Sequence, residues 1–146
     1  MAANTAPIYT LAPDVQWGAT DGNGGAAGPL KTANTAKDGT GTVLTIFTAD
    51  ATNGGYVSKI RFRAAGTNVA TVARVFINNG STNATIANNI LFDETTLTAT
   101  TISEVAATAL YELPLGIAIP AGYKLNITFG TTVSAGYFVS TVGGKY

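Results

Sequence analysis

The sequence predicts an all-β chain, a single antiparallel sandwich or barrel of about eight strands with an extended N-terminal segment. Three observations carry this. Thr (24), Ala (24), Gly (17) and Asn (11) make up just over half of the 146 residues, a mixture that favours strands and turns and is short of the long charged residues that favour helices. Asp21-Gly22, Asp38-Gly39, Asn53-Gly54 and Asn79-Gly80 tolerate the positive φ of tight turns and fall between apolar stretches. Between them the apolar residues recur with period two.

Taken in order, Ile8 to Leu11 is the first short strand candidate. Ala19 to Gly41 then holds a single large apolar residue, Leu30, and reads as a Gly-rich loop; a loop of that length inside a compact domain is usually functional or disordered. Residues 1–41 are therefore an arm and loop, and residues 42–146 the β body of one domain. Thr42 to Thr48 is a strand. In Tyr56 to Arg63, Tyr56, Ile60 and Phe62 are expected on one face and Lys59, Arg61 and Arg63 on the other. Val69 to Asn78 is apolar on both sides except at Arg74, as in a strand covered on both faces.

Ala84 to Phe92 and Leu97 to Val105 are weaker strand candidates, and Ile102 to Leu113 could instead form one short helix. Tyr111 to Ile119 runs through Pro114, which cannot donate to a ladder, so it belongs at a sheet edge or beside a bulge. Lys124 to Phe129 places Leu125, Ile127 and Phe129 on one face, and Tyr137 to Val142 is the last strand.

The chemistry is bounded by what is missing. There is no Cys and no His, which removes disulfides, Cys/His zinc sites, the Ser-His-Asp triad and the Cys-His pair. Carboxylates remain. Asp93 and Glu94 are adjacent and would point to opposite faces of a strand, while Asp93, Glu104 and Glu112 are the material for a glycosidase pair, a reading kept only as a control. Gly22-Asn-Gly24-Gly-Ala-Ala27 matches a loose phosphate-loop pattern without the strand and helix it needs. Asp14, Asp21 and Asn23 could offer oxygens to Ca²⁺ but lack the spacing of a known loop. No catalytic residue, metal ligand or cofactor is therefore assigned.

Eight basic and eight acidic residues give zero net charge, so neither nucleic acid nor a membrane surface is an expected partner. The first twenty residues hold no Lys or Arg and no unbroken apolar run, and synthesis in the cytoplasm without a secretory signal is expected. Lys59, Arg61 and Arg63 concentrate three positives on one strand face, either as a solvated face that protects an edge or as a docking patch for acidic groups. Trp17 either caps the core or anchors the N-terminal segment to a neighbour. An exterior so poor in ionic groups resists association weakly, which favours a structural subunit over a diffusing enzyme.

The start MAANTAPIYTLAPDVQWG and the stretch LPLGIAIPAGYKLNITFG from Leu113 to Gly130 resemble small virion proteins of tailed bacteriophages. The second, an apolar strand, then I-P-A-G, then an alternating strand, is similar to jelly-roll subunits that decorate phage heads or form short fibres. The resemblance implies an eight-stranded jelly roll, commonly a homotrimer, that clamps the major capsid protein lattice from the virion surface as a decoration (cement) protein. Ile8, Tyr9 and Trp17 in the arm and Lys59, Arg61 and Arg63 on the body are the candidate partner contacts. The alternative is a tail-fibre or carbohydrate-binding module, for which Tyr56, Tyr111, Tyr123 and Tyr137 would be the stacking platforms.

Overall fold

The computed structural model describes the backbone of residues 12–17 and residues 29–146 in full. Among the described residues there are eight strands: β1 (Ala12–Trp17), β2 (Leu44–Thr48), β3 (Gly55–Ala64), β4 (Thr71–Asn78), β5 (Asn89–Leu97), β6 (Leu110–Ile119), β7 (Lys124–Phe129) and β8 (Tyr137–Lys145). They form two four-stranded antiparallel sheets, ordered β1-β8-β3-β6 and β2-β7-β4-β5. That order is the jelly-roll order, in which the chain repeatedly crosses between sheets and the first and last strands become neighbours.

The core lies between the sheets and follows from the alternation. Leu125, Ile127 and Phe129 of β7 face Val57, Ile60 and Phe62 of β3, and all six are fully buried. Phe129 meets the Tyr137 ring edge-on, with centroids 5.6 Å apart, the arrangement that aromatic quadrupoles prefer. In β2 the pairing with β7 skips one residue between Thr45 and Phe47, so the bulge lets both Ile46 and Phe47 enter the core.

Several expectations are corrected at the level of elements. The first strand is Ala12–Trp17; Ile8 to Leu11 lies outside the described residues. Tyr56 is on the outer face, not beside Ile60, because β3 carries an extra residue at Ser58 relative to β8, between the pairs Val57↔Gly143 and Lys59↔Val142. A bulge reverses the alternation behind it. Leu97 to Val105 is not a strand: Leu97 closes β5, and the chain beyond makes only an isolated bridge from Thr100 to Asn68. Nor is Ile102 to Leu113 helical; the only helical turn among the described residues is a 3-10 turn at Ile86–Asn88. Pro114 does sit in an edge strand beside a register shift, as its missing N–H requires.

Gly39, Gly54 and Gly80 have φ of 79°, 85° and 92°, so three of the Asx-Gly pairs form the turns their chemistry favours; Asp21-Gly22 lies outside the described residues. Only Asn79-Gly80 links directly paired strands, β4 and β5.

The loop before β2 is partly built into the body. Leu30 exchanges two backbone hydrogen bonds with Tyr137, at 2.9 and 3.0 Å, and Asn34 donates its N–H to the Phe129 carbonyl at 2.7 Å. Residues 30 to 34 thus tie the end of one sheet to the end of the other. The loop then passes over the outer face of the second sheet, where Gly39 abuts the Phe76 ring. Phe76 is consequently fully buried although it points away from the core, which fulfils the expectation that β4 is covered on both sides.

Candidate functional site

The two outer faces differ. That of the second sheet is roofed by the loop before β2 and by the β4–β5 connection, so that Phe76, Asn78, Asn126 and Thr128 are all buried there. Among the described residues nothing roofs that of the first sheet, and it carries the basic strip.

Lys59, Arg61 and Arg63 alternate with the buried Ile60 and Phe62 and point outward, as the period-two pattern requires. The register sets out their neighbours in rows. Arg63 lies between Phe138 of β8 and Leu110 of β6, Arg61 between Ser140 and Glu112, and Lys59 between Val142 and Pro114. Trp17 pairs with Ser140, so its backbone extends the Arg61 row; its side chain, and all of Ile8 and Tyr9, lie outside the described residues.

The electrostatics of the face are unbalanced. Glu112 Oε1 accepts from Lys59 Nζ at 2.9 Å and lies 3.1 Å from Arg61 Nε. The Lys59 hydrogen bond, helped by the charges of Lys59 and Arg61, holds the Glu112 carboxyl below the usual carboxylate range. Arg63 donates to the Thr108 carbonyl at 3.1 Å. One carboxylate thus serves two cations while the third bonds a neutral carbonyl, leaving an excess of positive charge among the described residues. These pairs are more than a third exposed and stabilise the fold little; their effect is to hold the cations in place.

Apolar groups border the charges. Phe138 is 54% exposed, Tyr56 36% and Leu110 37%. Phe138 and Leu110 were missed as site residues from sequence. The signal was present in the alternation of Tyr137 to Val142, which puts Phe138 on the face opposite the buried Tyr137.

The remaining candidates are dispersed. Glu94 accepts from Arg74 Nε at 2.8 Å, Asp93 accepts from the Glu94 N–H at 2.7 Å, Glu112 is held by the basic strip, and Glu104 lies in the exposed connection before β6. Of the four tyrosines, Tyr137 is core, Tyr111 and Tyr123 pack against the core, and Tyr56 alone is exposed. The Tyr111 hydroxyl is hydrogen-bonded to Thr98 Oγ1. Asp21 and Asn23 lie outside the described residues, as does the Asp14 side chain, and no cluster of three potential metal-ligating acids occurs among those described. No helix among them is long and apolar enough to cross a membrane.

The roofed sheet holds a pocket of about 250 Å³ between residues 41–43 and 81–83, floored by Thr45, Asn78, Lys124 and Asn126. Compared with known protein families, with curated proteins and with solved structures, the chain matches none.

Proposed function

We propose that this protein is a non-enzymatic structural subunit that attaches to the exterior of a phage capsid as a decoration protein, acting as a trimer. The observation supporting this reading is the outer face of the first sheet, uncovered among the described residues, where Lys59 and Arg61 share one carboxylate, Arg63 bonds a backbone carbonyl, and exposed Phe138 and Tyr56 stand beside them. An exposed face with an apolar border and surplus positive charge fits an acidic patch on a coat lattice: aromatic and apolar area supplies affinity, and charge supplies register. Binding the assembled lattice in preference to free coat subunits shifts the shell away from disassembly by mass action. Three such faces on one particle act at high effective concentration, so each contact can be weak.

The test is to mix purified protein with undecorated shells and sediment them. Wild-type protein is expected in the shell fraction. The variant Lys59→Glu/Arg61→Glu/Arg63→Glu, shown by circular dichroism to keep its strands, is expected to stay in the supernatant. Equal sedimentation of the two would remove the basic face from the mechanism, and no sedimentation of the wild type would remove the capsid reading itself.

A further inference from the structure

The pocket on the second sheet is separate from the basic face and is built from different residues. Its walls are fixed. Asn83 Nδ2 donates to the Gly41 carbonyl at 2.7 Å, joining one wall to the other. Asn34 Nδ2 donates to the Thr40 and Thr42 carbonyls at 2.7 and 2.8 Å, holding the loop that forms the first wall.

Its floor contains an incompletely used amide. Asn126 is only 2% exposed. Its Oδ1 accepts from Thr45 Oγ1 at 2.7 Å, while its Nδ2 has no partner among the described residues and belongs to the pocket lining. Whichever way the amide is turned, one end bonds Thr45 and the other is free. That free end faces the open pocket, so a ligand oxygen placed there gains a directional hydrogen bond in exchange for one to water.

The other lining groups restrict that ligand. Lys124 is the one charged residue among the described residues that line the pocket, and no carboxylate among them pairs with it. No acid among the described residues lines the pocket, so a cation finds no carboxylate to neutralise it there. No aromatic ring among the described residues lines it either, so a neutral sugar finds no stacking platform there. Hydroxyls of Ser81 and Thr82 and the Asn126 amide offer hydrogen bonds to a hydroxylated molecule. At about 250 Å³ the space falls below the roughly 300–1,000 Å³ of sites for drug-sized ligands, which limits the ligand to the size of one sugar ring.

We infer that this pocket binds a single sugar unit bearing an oxyanion, a carboxylate or a phosphate, with Lys124 Nζ on the anion and Asn126 Nδ2 on an adjacent oxygen. The site does not depend on the capsid reading. Side-chain amide NMR of the full chain provides the test, with glucuronate, glucose 6-phosphate, glucose and inorganic phosphate titrated separately. The two anionic sugars are expected to shift the Asn126 side-chain signals saturably, glucose not at all, and inorganic phosphate more weakly than either. Lys124→Met, at a partly exposed position where folding is spared, is expected to weaken binding about tenfold or more, as loss of a charge-assisted bond does; Lys124→Arg should restore most of it. Absence of saturable shifts with both anionic sugars, equal shifts with glucose, indifference to Lys124→Met, or phosphate binding as tightly as glucose 6-phosphate would each overturn the proposal.

Discussion

Asn68 illustrates how a single polar residue organises the connections at one end of this sandwich. It is 3% exposed; its Oδ1 accepts the N–H groups of Ala135 and Gly136, both at 2.9 Å, and its Nδ2 donates to the carbonyls of Gly136 and Gly66. Asn68→Ala would leave the Ala135 and Gly136 N–H groups without partners, while the two carbonyls keep the Thr100 hydroxyl and the Ala65 N–H, and a loss of about 2–4 kcal/mol is expected in chemical denaturation. Ionisable residues set the pH limits. Burial raises the Tyr137 phenol above its ordinary value, so its contribution is intact below about pH 10 and is lost as pH climbs through the raised value. Asp38, Asp50 and Glu112 are instead depressed, the first by Thr40, the second by the backbone of Asn53 and Thr52, the third by Lys59. Their contributions are present above the ordinary carboxylate range and disappear as pH falls through the depressed values. Thermal melts across pH should show a plateau that declines on both sides; a melting temperature still rising beyond pH 10 would contradict the assignment for Tyr137.

Among the elements, β5 and β6 are the edges on one side of the sandwich, and they solve the edge problem differently. Strand β6 carries Pro114, which removes a donor from the free edge. Strand β5 instead exposes Ile90 (64%), Leu91 (41%) and Phe92 (43%), with Phe92 as the extra residue where its register with β4 shifts. Phe92→Lys is expected to change stability by no more than about 1 kcal/mol while lowering light scattering at high concentration; a large stability loss would mean that the ring packs internally. Close approach governs another pairing. A Cβ at Gly143 would collide with the Tyr56 carbonyl, and Gly143→Ala is expected to cost about 1–3 kcal/mol by overpacking, measurable as a lower denaturation midpoint. Strands with large residues at alternate positions, such as β7 and β8, are legible in the sequence. Residues 98–105 misled because Thr and Val suit strands, yet their only large apolar groups, Ile102 and Val105, are 52% and 97% exposed and bury nothing that would hold a ladder. The misplacement of Tyr56 has a similar origin, since a bulge leaves no mark in composition.

For the molecule as a whole, the all-β class and the outward basic strip follow from local chemistry that period two exposes. What the sequence conceals is which sheet is roofed. The burial of Phe76, Asn126 and Thr128 depends on a loop that folds back from far along the chain, and no local pattern encodes that path. The pocket is concealed for the same reason, because its floor and walls meet only in three dimensions. The pairing of β1 with β8 has a mechanical consequence. Ala12 lies directly opposite Lys145, so tension applied between these two residues loads the ladder from one end and ruptures its bonds one after another instead of all at once. Pulled in this direction, the protein should peel open at low force, β1 detaching first and the pairing of β8 with β3 yielding only afterwards.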